Sequence, residues 1–174
     1  MAVLDIITVP HPMLSQRARP VREEEFGEAL EQLCSDMAET MYAAPGVGLA
    51  GPQVGDLRCI IVLDAGEDEE RGKRLRKMVN PSIVERSEET IQWEETCLSV
   101  PGLEVMVERN RRVRVQWRQP DGTAAEDRFE DYEAVIVQHE LDHLVGTVLL
   151  DRVSRFKRSR YLKRVKREFV EAQR

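Results

Sequence analysis

The chain has 174 residues, 41% of them hydrophobic and 33% charged, which is the size and balance of one ordinary globular domain and too apolar for intrinsic disorder. No apolar run nears the roughly 20 residues of a membrane helix, and Asp5, Pro10 and His11 break up the start before a secretory apolar stretch can form, so membrane insertion and secretion are not expected. The net charge of −6 conceals an acidic body and a basic tail: from Arg152 to Arg174 there are ten Lys/Arg against Glu168 and Glu171. Three cysteines, Cys34, Cys59 and Cys97, cannot all pair, and without a secretory signal they are expected as thiols, metal ligands or core filler in a reducing compartment.

Pro10, Pro12 and Pro20 predict an extended opening segment wrapped over the domain. From Glu24 to about Tyr42, apolar residues at Phe26, Leu30, Leu33, Met37 and Met41 recur with helical spacing, and Pro45-Gly46 ends that helix. Cys34 falls on the same face and reads as core. Gly46 to Gly55 holds four glycines in ten positions and cannot be a helix interior. A short strand is expected over Arg58 to Leu63, then a solvated charged loop from Asp64 to Lys77. Further strands are expected around Ile83-Val84, Val105 to Val107, and Val113, Val115 and Trp117, with a hairpin turn at Pro120-Asp121-Gly122. Asp131 is placed to cap a helix from Tyr132 to about Val145, closed by Gly146. A last helix, about Ser154 to Ala172, carries Leu162, Val165 and Phe169 as its apolar stripe. One early helix, several strands and two late helices point to an α+β domain.

His139-Glu140-Leu141-Asp142-His143 fits H-E-x-x-H on the penultimate helix. Residues four apart share a face, so both imidazoles can reach one ion, and Glu140 can address a water beside it. Two histidines do not complete a catalytic site, which needs a third protein ligand. No histidine follows His143, Asp151 lacks helical register with the pair, and Glu168 and Glu171 lie in the basic helix. Cys97, at an apparent strand end before Pro101, is either that ligand or a buried thiol. A generic zinc peptidase would need a ligand downstream.

Three segments together resemble the signature motifs of the peptide deformylases: Gly46 to Gln53, Glu95 to Pro101, and Gln138 to Gly146, in the family's order and with its separations. The resemblance spans nearly the whole chain. It implies an α+β fold, a single domain of short, mostly antiparallel strands around a central H-E-x-x-H helix; the charge pattern marks residues 1–151 as the catalytic part and 152–174 as a basic amphipathic helix packed on or projecting from it. The resemblance also implies removal of the N-formyl group from nascent polypeptides that begin with formyl-methionine, with release of formate, in a bacterial cytoplasm. By matching position, Cys97, His139 and His143 would hold one divalent metal, Fe(II) physiologically, with Zn, Ni or Co able to substitute. Glu140 would be the acid/base, and the Gln53 side-chain amide and Leu98 backbone N–H would meet the oxyanion. Gln53 read from its loop alone is a turn residue.

Tyr132, Val135 and Ile136 share the helix face of His139 and are expected at the methionine pocket; Val47 and Gly48 could present backbone to an extended peptide. Glu95 is expected to support a ligand or a nearby arginine; Asp142 is open between that role and a surface charge. Three departures stand out: Gly51 where alanine is usual, a small-for-small exchange expected to matter little; Thr96 where glycine is usual; and Glu104 where an arginine near the peptide is common. The last two put substrate preference in question and are the only support for a rival reading, a non-catalytic module binding peptide or ribosome. The basic tail suits docking to the ribosome or, equally, closing the core against the acidic body.

Overall fold

The structure, a computed structural model, describes residues 2–66 and 68–172. Its elements run α1 (Glu28–Ala43), β1 (Gly48–Ala50), β2 (Ile60–Leu63), β3 (Arg76–Arg86), β4 (Thr90–Glu95), β5 (Val105–Asn110), β6 (Arg112–Arg118), β7 (Ala124–Glu130), α2 (Asp131–Leu144) and α3 (Arg155–Ala172). A five-stranded antiparallel sheet has the order β1-β2-β3-β6-β7, and β4 pairs with β5 as a separate ribbon. The result is the expected α+β domain.

The apolar run of β2 explains how the layers stack. Its four residues are all buried, with alternate side chains on opposite faces. Ile61 and Leu63 join Met78, Val113, Val115 and Phe129 beneath Ala134, Ile136 and Val137 of α2. Ile60 and Val62 turn the other way, onto Leu30, Cys34, Met37 and Met41 of α1. The sheet is thus covered on both faces where β2 runs, and α2, the carrier of H-E-x-x-H, is central to the molecule. A third cluster joins Cys97, Val100, Val105 and Val107 to Leu149, Leu150 and Tyr161, with Leu162 and Val165 of α3 against it. Tyr161 anchors α3: its ring is buried and its hydroxyl donates to the Pro101 carbonyl at 2.9 Å. The Phe169 side chain lies outside the described residues.

The opening segment does wrap the domain. Ile7 N–H donates to the Gln53 carbonyl (2.7 Å), Val9 N–H to that of Ser99 (2.9 Å), and Ala18 N–H to that of Leu144 (2.9 Å). One strap therefore touches all three motif segments.

Several boundaries differ from expectation. The first helix starts at Glu28, after a 3-10 turn at Glu23–Glu25, because Gly27 adopts φ +126° and its N–H bonds the Pro120 carbonyl. Phe26 is left outside the helix, beneath the Arg118 guanidinium at 4.0 Å. Asp64 to Lys77 is not simply a solvated loop. The buried Asp64 carboxylate accepts from Tyr42 Oη (2.8 Å), Gly66 N–H (2.8 Å) and Gly72 N–H (2.6 Å), folding the segment around itself, and Arg76 and Lys77 already belong to β3. Asp131 does not cap α2; it is the helix's first residue, and its carboxylate accepts from Arg111 Nε at 2.7 Å. Gly51 is not a neutral exchange: a Cβ there would meet the Asp56 carbonyl oxygen at 2.7 Å and that of Arg58 at 2.9 Å, so alanine would force this backbone to shift.

Candidate metal centre and active site

Cys97 follows β4 by two residues, and His139 and His143 stand one turn apart on α2. The fold brings one ligand atom from each within 4.8 Å of the others, with Cys97 Sγ 3.4 Å from His143 Nε2. His143 is buried, and burial pushes its pKa well below the ordinary value, so it is a neutral ring with a lone pair to give. Its Nδ1 and the Glu140 Oε2 are buried without a hydrogen-bond partner among the described residues. A buried thiol and two imidazole nitrogens gathered around one point, with Glu140 Oε2 unpartnered beside them, are costly unless something completes them. A divalent metal with Cys/His/His ligation fits, and Asp151, Glu168 and Glu171 are absent from the cluster.

His139 is held from behind. His139 Nδ1 lies 2.8 Å from Glu95 Oε2, which leaves Nε2 for the metal. Glu95, the last residue of β4, accepts from Arg109 Nε at 2.7 Å and Nη2 at 2.9 Å. Burial by itself would raise the Glu95 pKa, but Arg109 and His139 outweigh it and hold the carboxyl at about 2. Arg109 Nη1 donates in turn to Asp142 Oδ2 at 2.8 Å, and Asp142 also accepts from Arg152. Asp142 is thus a partner of this chain of charges, and Arg109 is its hub. Arg109 carries no motif signal in the sequence; only the i, i+2 alternation of β5, which turns Val105, Val107 and Arg109 inward, marks it.

Glu140 is buried beside the cluster, and burial pushes its carboxyl up to about 7. It seats against Gly48: an added Cβ would meet Glu140 Oε1, Cδ at 2.7 Å and Cγ at 2.9 Å. Gln53 lies in a 3-10 turn after β1; its Oε1 accepts from Ala50 N–H (2.8 Å), while Nε2 reaches Ser99 Oγ (3.1 Å) and faces Cys97 Sγ at 3.8 Å. Gln53 therefore secures its own loop and points an amide at the cluster. The Leu98 N–H donates no hydrogen bond among the described residues.

A cavity of about 350 Å³ opens onto Cys97, His139 and Glu140. Val47, Gly48, Gln53, Leu98, Tyr132, Val135 and Ile136 all line it. So does Trp93, stacked on Tyr132 at 5.0 Å between centroids, an aromatic wall absent from the sequence-based list. Thr96 is at the rim, whereas Glu104 lies elsewhere, in a groove beneath α3 beside Arg164. β1 is the sheet edge, paired only with β2.

The family model of polypeptide deformylase matches residues 3–159. Peptide deformylase of Desulfotalea psychrophila is 44% identical over 170 residues, covering 98% of this chain and 99% of that protein. Peptide deformylase of Hyphomonas neptunium is 45% identical over 173 residues, covering 99% and 97%. Among solved structures, peptide deformylase from Ehrlichia chaffeensis superposes with a TM-score of 0.90 at 35% identity, covering 99% of this chain and 100% of that one. A second structure of the Ehrlichia chaffeensis enzyme, in complex with actinonin, has a TM-score of 0.88 at 37% identity over 97% of this chain and 98% of that one. With its three motifs gathered at one cleft, the chain belongs to the polypeptide deformylase family.

Proposed function

We propose that the chain hydrolyses the formamide bond of N-formyl-methionyl nascent polypeptides, releasing formate. The observation that carries this is the buried Glu140, whose Oε2 has no hydrogen-bond partner among the described residues, beside the Cys97/His139/His143 cluster at the end of the cavity. A divalent metal bound there supplies Lewis acidity that activates water for attack. Its donor set suits Fe(II), Zn, Ni or Co, and we assign Fe(II) as the physiological ion on the strength of the family.

Glu140, poised near neutrality by burial, takes the water's proton and delivers it to the departing amine nitrogen. The Leu98 N–H and the Gln53 Nε2 amide donate to the oxygen that gains charge as the formyl carbon becomes tetrahedral. Each such donor typically contributes about a hundred- to thousandfold in rate. Val135, Ile136 and the Trp93–Tyr132 wall take the methionine side chain. The peptide backbone adds as a strand along the free edge of β1 at Gly48 and the adjoining Val47, whose carbonyl already accepts from Asp64 N–H at 2.9 Å. Glu95 holds His139 in register for the metal.

On this reading residues 1–151 carry the chemistry, and the basic segment 152–174, which includes α3, is the docking element. The exposed Arg155, Lys157, Arg160, Lys163 and Lys166 of α3 support ribosome contact, and nascent chains place the enzyme in the bacterial cytoplasm. The test is formate release from formyl-Met-Ala-Ser by anaerobically prepared, Fe(II)- or Ni(II)-loaded protein, beside Glu140→Ala at equal metal content. Robust release by the parent and loss in the variant is expected; no release from the fully loaded parent overturns the assignment.

A further inference from the structure

Behind α2, on the side away from the active-site cleft, lies a second cavity of about 590 Å³. Four arginines line it: Arg17, Arg86, Arg109 and Arg152, against the acids Glu108 and Asp142. Asp142 is already engaged by Arg109 and Arg152, and Glu108 accepts from Gln92. Arg86 donates only to the Asn110 side-chain oxygen (3.2 Å), and Arg17 has no side-chain partner among the described residues. This is unusual for the acidic body of the chain, where neighbouring Arg111, Arg112 and Arg114 each meet a carboxylate. Arg109 is 6% exposed, and three of its five N–H groups are used by Glu95 and Asp142, so the buried wall keeps donors to offer. Ser82, Thr90, Asn110 and Gln138 add polar groups to the lining, and Pro81, Ile83 and Leu141 give it an apolar part.

The geometry points to a binding site for a phosphate monoester: the dianionic head on Arg17 and Arg86 against the buried Arg109, and an apolar body on Pro81, Ile83 and Leu141. Converging guanidinium groups give charge-assisted, often bidentate hydrogen bonds to phosphate oxygens. The cavity is several times larger than a free phosphate needs, and its apolar part distinguishes an ester from the bare ion. It is separate from the cleft that takes the peptide: the two linings have no residue in common, and the ion pair between Arg109 of one and Glu95 of the other stands between them.

Isothermal titration of nickel-loaded protein at constant ionic strength tests this, with inorganic phosphate and phenyl phosphate as probes. One phenyl phosphate is expected to bind per chain with Kd below about 1 mM, at least about tenfold tighter than inorganic phosphate. Arg17→Ser/Arg86→Ser weakens both by about tenfold or more while formate release stays at the parent rate. Arg160→Ser/Lys163→Ser on α3 leaves binding unchanged. Equal affinity for the two probes means that inorganic phosphate alone is the ligand and overturns the ester. Binding that survives in Arg17→Ser/Arg86→Ser, or that is lost only with the α3 charges, places the anion elsewhere and overturns the site, as does the absence of binding up to about 10 mM.

Discussion

Gly48→Ala adds one methyl group at the most sensitive point of the cleft. The new Cβ would stand 2.7 Å from Glu140 Cδ and 2.9 Å from Cγ. Ordinary carbon contacts are about 3.5–4.0 Å, so the carboxylate must withdraw by about 1 Å. It cannot do so freely, because Glu140 is 4% exposed and walled in by the core around α2. A misplacement of about 1 Å at a reacting group costs on the order of a hundredfold, and loss of a general base about a hundred- to ten-thousandfold. We therefore expect kcat/KM for formate release to fall at least a hundredfold, about 2.7 kcal/mol of transition-state stabilisation. Metal content per chain and the thermal midpoint serve as controls. The double variant Gly48→Ala/Glu140→Ala should be no slower than Glu140→Ala alone, because the methyl group then has no carboxylate to displace. Retention of kcat/KM within about threefold by a fully metallated Gly48→Ala would refute the seating of Glu140 against this glycine.

Glu95→Ala strands the buried Arg109 with only Asp142, so about 3 kcal/mol of unfolding free energy should be lost in urea titrations, and metal affinity should drop about 10- to 100-fold against a competing chelator. An unchanged chelator half-point would deny Glu95 its hold on His139. Burial pushes the Cys34 thiol up to about 12, so iodoacetamide at pH 8 should leave it unlabelled in the native protein. In peptide maps Cys97 should become reactive only after chelation, and labelling of Cys97 with metal still bound would exclude it as a ligand. Gly51→Ala, which restores the residue usual in the family, should destabilise this chain by about 1–3 kcal/mol, because its Cβ would press on the Asp56 and Arg58 carbonyls; a neutral thermal midpoint would contradict that. Tyr161→Phe removes the bond to the Pro101 carbonyl and should cost about 1 kcal/mol in the same measurement.

What could be read from the sequence follows what each signal physically reports. Periodicity found α2 and the body of α1 because burial on one helix face repeats, but it missed that a positive-φ Gly27 excludes Phe26 from the helix. The fully apolar β2 was legible, whereas β4 and β7 were signalled only at an end, by the apparent strand end at Cys97 and the turn at Pro120-Asp121-Gly122: their charged, largely exposed alternation reads as surface, and what holds them is pairing to β5 and β6. At the site, the ligand spacing on α2 is a local pattern. Cys97 lies far from it in the chain; the residues alone left it open between ligand and buried thiol, and the resemblance to a family pointed to the ligand before the fold did. Arg109 and Trp93 belong to no motif; they matter because of what lies across from them, and a one-dimensional string does not contain that relation.

The opening strap also bears on how the protein is made. Its bonds to Gln53, Ser99 and Leu144 brace three segments that leave the translating machinery well after it does, Leu144 last of all. The stretch synthesised before its partners must therefore wait, and its docking is complete only when α2 has emerged and Ala18 can bond Leu144. Until then the cleft has ligands on unbraced loops. The order of synthesis thus keeps this hydrolase from assembling a finished site on its own unfinished chain.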